Sequence, residues 1–346
     1  MRSLSRVLRR GRHIAAKLGR HARLWRVPTA VRHVCGPRKP SVTAADLIVV
    51  SLVRAGEHHV EDFLTHHFKL GARHIVLLDN GSSDRTTEIA QEFDRVTVLK
   101  TQLPYKYYKY ALKRYLFDRF SGAGWCLIAD IDERFYYPSS DRVPLDGLIL
   151  YLNKHHYTGV VCQILDLFAE GPVHEWPGGG RALVAESIWY DNSALRKRPY
   201  ESRDGNKSSN PAIMSHSGGI RLAAFGVDAS LTKHPLLLKS GGARPSLSSS
   251  QQCANATIAD VTCVLLHYKF DRQFPEKCRV VAREESYFQN SRDYKAYLRR
   301  LEQNPLLELK GPTTERFESL GQLVDNGFLV VSDGYRRFAQ EYSAYF

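Results

Sequence analysis

The sequence predicts an α/β fold, a mainly parallel sheet with helices on both faces followed by a helical C-terminal extension. Three observations predict it. Short runs of Ile, Val and Leu recur from Leu47 onward, and stretches with helical periodicity separate them. The runs are apolar at consecutive positions rather than at alternate ones, as in strands buried on both faces.

The first 45 residues stand apart from this pattern. Of the 49 Lys and Arg, twelve fall in residues 1–45, which hold no Asp or Glu, so the other 37 face 36 acidic residues. The net charge of +13 therefore belongs to an N-terminal arm, residues 1–45, while the body is nearly neutral. Leu4, Leu8, Ala15, Leu18, Ala22 and Trp25 recur at helical spacing among Arg6, Arg9, Arg10, Arg12, Lys17, Arg20 and Arg23, and Pro28 marks the expected end. A basic amphipathic helix over residues 1–26 suits an anionic membrane surface. A solvated basic arm and an organelle transit peptide share the composition. No apolar run reaches spanning length.

From Asp46 the expected order is strand Leu47–Val53, helix Val60–Leu70, strand His74–Leu78, helix Arg85–Phe93 and strand Val96–Leu99. Gly71 bounds the first of these helices. The turn Gly81-Ser82-Ser83-Asp84 feeds the second, with Asp84 as its N-cap. Helix Tyr107–Phe120 leads to strand Trp125–Ala129, and helix Leu145–His155 to strand Val160–Leu167, so the opening is Rossmann-like. After Phe168 the pattern loosens. Gly178–Gly180, Arg196–Asn210 and Ser246–Ser250 read as long loops, where substrate contacts concentrate. Strand Val261–His267 restores order, Pro275–Leu301 reads as an amphipathic helix, and Ser319–Phe346 carries further apolar positions. The expected division is the arm 1–45, an α/β domain 46–270 and a mainly helical extension 271–346 that wraps it.

Cys35, Cys126, Cys162, Cys253, Cys263 and Cys278 are scattered, with no C-x-x-C pair. Free thiols in a reducing compartment explain them, so the expected location is cytoplasmic, peripheral on the inner face of the cytoplasmic membrane if the arm docks there.

The chemistry concentrates in Asp130-Ile131-Asp132-Glu133, which closes the apolar strand at Trp125. Two carboxylates at i and i+2 face one side, where they can share a divalent cation and a diphosphate. Ligands in such sheets sit beyond the carboxyl ends of the strands, where Arg54, Asp79, Asp130 and Asp166 emerge. An acidic pair at a strand end is also a common structural feature, so the neighbouring motifs carry the weight.

Those motifs are Arg54-Ala55-Gly56-Glu57, Phe63-Leu64-Thr65-His66-His67-Phe68, Leu78-Asp79-Asn80-Gly81-Ser82-Ser83-Asp84, Ala129-Asp130-Ile131-Asp132-Glu133-Arg134-Phe135 and the His267-Tyr268-Lys269-Phe270 run. Together they resemble the family 2-like glycosyltransferases of the GT-A fold, in particular a bacterial branch with the same C-terminal signature. Gly218-Gly219-Ile220-Arg221 and Leu231-Thr232-Lys233-His234-Pro235-Leu236 resemble later motifs of that family. The resemblance spans roughly residues 46–270 and departs at Arg54-Ala55-Gly56-Glu57, where the family commonly has Arg-Asn-Glu.

The resemblance implies a metal-dependent hexosyltransferase-type enzyme. It would move a sugar from a nucleotide-diphospho-sugar, a UDP-sugar by preference, to a glycan or lipid-linked envelope acceptor with inversion. It assigns Arg54, Glu57, Asp79, Asp130 and Lys269 to the donor nucleotide, and Asp132, Asp130 and His267 to Mn2+ or Mg2+. Glu133 would brace the loop. An inverting transfer needs a carboxylate base, for which Asp166 is the first candidate and Glu170 the second, with Asp191 behind them. The pairs His58-His59, His66-His67 and His155-His156 read as packing or helix-surface residues. A nucleotidyltransferase would also use paired carboxylates, but no glycine-rich phosphate loop follows the first strand. A nucleic-acid-binding protein would rely on the arm alone, which gives no sequence-specific nucleic-acid partner.

Overall fold

Strand β2 (Leu47–Val53) shows how the two-sided burial arises. All of it is buried. Leu47, Val49 and Val53 pack on one face with α2 (Glu57–Leu70), α3 (Thr86–Gln91) and α5 (Leu145–Lys154), while Ile48, Val50 and Leu52 pack on the other with α4 (Tyr105–Phe120). Successive side chains of a strand point to opposite faces, so a strand covered on both sides must be apolar throughout.

The computed structural model describes residues 18–285 and 287–345. Strands β3 (His74–Asp79), β4 (Val96–Thr101) and β5 (Trp125–Ile128) form a parallel unit with β2 in the order β4-β3-β2-β5. The sheet continues through β8 (Thr232–Leu238), antiparallel to both β5 and β7 (Gly159–Asp166). Strand β9 (Cys263–His267) lies parallel to β7 and antiparallel to β6 (Glu133–Tyr136). A mixed, mainly parallel sheet with helices on both faces and helices at the C-terminus is thus the architecture, in the class expected from the sequence.

Several elements differ from expectation. The sheet takes in β1 (Val31–Cys35), antiparallel to β4, so residues assigned to the arm belong to the sheet edge. The helix α1 runs through residues 18–30, past Pro28, with Val27 fully buried against the α4 face. Leu4, Leu8 and Ala15 lie outside the described residues. Gly178–Gly180 leads directly into α6 (Gly180–Glu186), and Leu195–Pro199, expected in a loop, pairs with Met214–Gly218.

The segment Pro275–Leu301 is two helices, α8 (Phe274–Glu284) and α9 (Phe288–Gln303). Glu285, Gln289, Asn290 and Ser291 have φ of 48°, 49°, 53° and 59°, a left-handed stretch that breaks the helix. Beyond α10 (Leu320–Asp325), α11 (Asp333–Tyr345) delivers Tyr335 and Ala339 into the core beside α5. Tyr335 and Ala339 of the C-terminal segment therefore share the hydrophobic core of the α/β unit. Among the described residues no helix is long and apolar enough to cross a membrane.

Candidate active site

Three neighbouring strands align an imidazole with two carboxylates. In the parallel β7–β9 pair His267 stands opposite Asp166, and in the antiparallel β6–β9 pair it stands opposite Glu133, the residue after Asp132. Asp166 accepts from His267 Nδ1 at 2.6 Å, and Nε2 lies 3.5 Å from Asp132 Oδ2. Asp166 also accepts from Arg221 of α7 (Ile220–Phe225) through both carboxylate oxygens, at 2.7 Å each. All four side chains are buried.

Electrostatics fix the charge states. Burial pushes the Asp166 carboxyl up, but the adjacent Arg221 and His267 outweigh it and hold it well below the usual carboxylate range. Asp132 follows the same pattern, with His267 as the leading partner. Burial pushes the imidazole of His267 down, and Asp132 and Asp166 together raise it above its ordinary value. Asp166 and Asp132 can both only accept, so Nδ1–H points to Asp166 and Nε2–H faces Asp132 in the imidazolium form that the raised value favours.

This geometry tests the metal assignment. A carboxylate oxygen and an imidazole nitrogen 3.5 Å apart, with the ring braced by a buried carboxylate, can converge on one divalent ion. Asp132 and His267 fit that role. Asp130 does not, because its two oxygens are taken by Lys113 at 2.6 Å and Lys233 at 2.8 Å. Lys233 binds Glu133 as well, and Glu133 accepts from the Asp130 amide at 2.9 Å, which fixes the loop. Among the described residues no cluster of three or more His, Cys, Asp or Glu is disposed to hold a metal ion.

The charge around this loop was only partly visible in the sequence. Lys113 and Lys109 come from α4, one helical turn apart, and Lys277 of α8 lies 3.8 Å from Asp132. Burial, reinforced by Lys113, lowers Lys109 to about 8. Arg134 locks the loop from behind by donating to Asp62 of α2 at 2.6 Å and to the Ile131 carbonyl at 3.1 Å. Lys spacing at i, i+4 on α4 and the Thr232-Lys233 pair were the available signals. Neither identifies a partner without the fold.

The remaining expected residues scatter. Asp166, expected as the base, has both oxygens engaged by Arg221 and His267, and this arrangement orients the imidazole. Glu170 lies on the surface, paired with Lys310 at 2.8 Å, and Asp191 accepts from Thr313 and the Ser193 amide. Lys269 is buried among Tyr294, Tyr297 and Phe274, with its ammonium 4.6 Å from the Tyr294 ring. Asp79 is buried, accepts from the Ser82 amide at 3.0 Å and lies 4.0 Å from Lys100. Arg54 is exposed, and Glu57 accepts from the Arg85 amide at 3.0 Å. Asp84 precedes the N-cap Arg85, yet its carboxylate accepts from the amides of Thr86 and Glu57 and so ties α3 to α2.

Sequence reasoning missed one pair. His59, expected as packing, lies 3.1 Å from Asp271 Oδ2, and the buried Asp271 Oδ1 has no hydrogen-bond partner. Asp271 contributes to the field at Lys277, as Asp132 does, so the pair belongs to the same cluster.

No protein-family model and no curated protein matches the chain. Solved structures with partial likeness include S. aureus TarS, 12% identical over 38% of this chain and 27% of that one, TM-score 0.30. A second is the mannosyltransferase PcManGT from Pyrobaculum calidifontis in complex with GDP-Man and Mn2+, 15% identical over 43% of this chain and 44% of that one, TM-score 0.28. A third is a UDP-glucose pyrophosphorylase complexed with UDP-glucose, 7% identical over 87% and 97%, TM-score 0.26. The chain spans under half the length of the first two. Likenesses at these TM-scores carry no argument about this chain.

Proposed function

We propose that the protein is a GT-A-type glycosyltransferase that moves a hexosyl group from a nucleotide-diphospho-sugar, a UDP-sugar by preference, to a saccharide acceptor. The observation that carries this reading is the Asp132–His267–Asp166–Arg221 relay, built at the carboxyl ends of parallel strands beside a lysine-lined loop. The sequence motifs quoted above support it independently.

Asp132 and His267 are the residues that would hold a divalent cation, Mn2+ or Mg2+, which when bound supplies positive charge to the donor's two phosphates. Lys109, Lys113, Lys233 and Lys277 surround the same loop and favour a dianionic leaving group. In the transfer the acceptor hydroxyl oxygen bonds to the anomeric carbon as the carbon–phosphate-oxygen bond breaks. The bonding pair leaves with the nucleoside diphosphate, and the hydroxyl proton passes to the His59–Asp271 pair, whose Oδ1 is the unengaged carboxylate oxygen. Tyr105 and Tyr287, with ring centroids 5.3 Å apart, stand beside the loop that carries Asp130 and Asp132.

The reading also places the basic arm on an anionic membrane, with the enzyme peripheral to the inner face of the cytoplasmic membrane. The apolar residues Leu18, Ala22 and Trp25 of α1 face solvent.

The test is nucleoside diphosphate release from UDP-glucose, UDP-N-acetylglucosamine and GDP-mannose, with Mn2+ or Mg2+ and with chelator. Release should require the ion, and Asp132→Asn should lower it by about 100-fold or more, the size of effect expected when a preorganised charge partner is removed. Asp271→Asn should reduce transfer to an acceptor by a similar factor while nucleotide affinity is retained. Turnover unaffected by Asp132→Asn in the presence of chelator removes the metal assignment.

A further inference from the structure

Beside β8, on the α4 face of the sheet, lies a second cavity that none of the site residues line. Its volume is about 240 Å³, and Tyr200, Ser215, His234, Gln251, Gln252 and Arg198 contribute to its wall. The space, open to solvent on one side, admits one saccharide unit.

The wall is preorganised. Tyr200 Oη lies 2.8 Å from His234 Nε2, and His234 Nδ1 lies 2.8 Å from the Gln251 carbonyl oxygen. A carbonyl only accepts, so Nδ1 carries the proton and the tyrosine hydroxyl donates to Nε2. Burial pushes the imidazole down, which keeps it neutral in that arrangement. On the far rim Asn206 donates to the Cys253 carbonyl at 3.1 Å and accepts from the Ala256 amide at 3.0 Å, which fixes the turn at Asp204 and Gly205.

Its chemistry is polar without net charge. Arg198 and Arg203 are matched by Glu201 and Asp204, and Arg203 is bound to Glu201. A phosphate or polyanion would find no excess of positive charge. Sugar hydroxyls both donate and accept, and Ser215, Gln252 and the Tyr200–His234 pair in the wall offer partners of both kinds.

The cavity also neighbours the candidate active site: His234 and Gln252 stand between it and a narrower cavity lined by Lys113, and Lys113 binds Asp130. We infer that the cavity holds a neutral, hydroxyl-rich saccharide unit of the acceptor. This identification of an acceptor unit rests on the glycosyltransferase reading; the saccharide binding itself does not.

The experiment is saturation-transfer NMR and titration of the full-length protein with methyl glucopyranoside, galactopyranoside, mannopyranoside and N-acetylglucosaminide, without donor. At least one should bind. Tyr200→Ala, and independently Ser215→Trp, which fills the space, should each weaken it about tenfold or more, the loss of roughly 1.4 kcal/mol. Thermal melts identify whichever variant keeps its fold. Absence of binding by all four glycosides, or binding unchanged in a folded variant, overturns the inference. Failure of wild type to release nucleotide from any sugar donor would instead overturn the glycosyltransferase reading while leaving saccharide binding measurable.

Discussion

Asp130 and Asp132 stand two positions apart in sequence and do different work. Asp132 faces His267, whereas Asp130 is claimed by Lys113 and Lys233, so one carboxylate of the pair meets an imidazole and the other anchors ammonium groups. The anchored lysines crowd Lys109, which pairs with no carboxylate among the described residues and sits over the rings of Tyr110 and Tyr105 at 5.1 and 5.7 Å. Burial and that crowding lower its pKa to about 8, so it is an ammonium below this value and neutral above it. On the proposed function its attraction for a nucleotide diphosphate would be present at neutral pH and lost as the pH rises through about 8. Calorimetric titration with UDP from about pH 6.5 to about pH 9.5 should show affinity falling by about tenfold or more, as expected for one charged hydrogen bond. Lys109→Met should bind weakly at all these values and flatten that limb; a limb that persists in the variant assigns the titration elsewhere.

β1 illustrates what an element adds beyond its local pattern. The chain leaves it at Gly36, where φ is +79° and a Cβ would come within 2.1 Å of the Val96 carbonyl oxygen. Gly36→Ala should therefore destabilise the whole domain by about 2 kcal/mol or more, from left-handed strain plus a backbone clash. A lower denaturation midpoint with an unchanged m value would show it, whereas an unmoved midpoint would make β1 a detachable arm. The strands β2, β3, β5, β7 and β9 were legible because each is a continuous apolar run. β1 was hidden by Arg32 and His33 and by the charge of its surroundings. β8 was hidden by Lys233 and Pro235 within it, and a register shift between Lys233 and Leu236 accommodates the proline. For the site, the Asp132–His267 proximity was legible from the motifs. The fate of Asp166 was not, because the bidentate Arg221 that neutralises it arrives from a helix some fifty residues away in sequence, on the order of a full supersecondary unit.

The charge of the chain is segregated by structure as well as by sequence. Within α1, Leu24 and Val27 pack toward the sheet, which leaves Leu18 and Trp25 outward at 65% and 81% exposure, beside Arg20, Arg23 and Arg26. Exposed Tyr107 of α4 lies alongside, since Arg23 donates to its carbonyl at 3.3 Å. An apolar edge flanked by cations suits insertion at an anionic lipid surface, where each basic residue near the surface contributes about 1 kcal/mol. The full-length protein should sediment with vesicles containing phosphatidylserine and not with phosphatidylcholine alone, and binding should weaken at high salt as screening shortens the field. Trp125 and Trp176 are buried and Trp189 is partly so, which leaves Trp25 as the indole free to change environment. Its emission should shift to the blue on binding, and Trp25→Phe should abolish the shift while leaving sedimentation largely intact. Replacing Arg20, Arg23 and Arg26 together by Ala should lower vesicle affinity by about 100-fold, corresponding to ~3 kcal/mol from three cations. Equal sedimentation with neutral vesicles, or a triple variant that binds as wild type does, would detach the membrane from the charge of this helix.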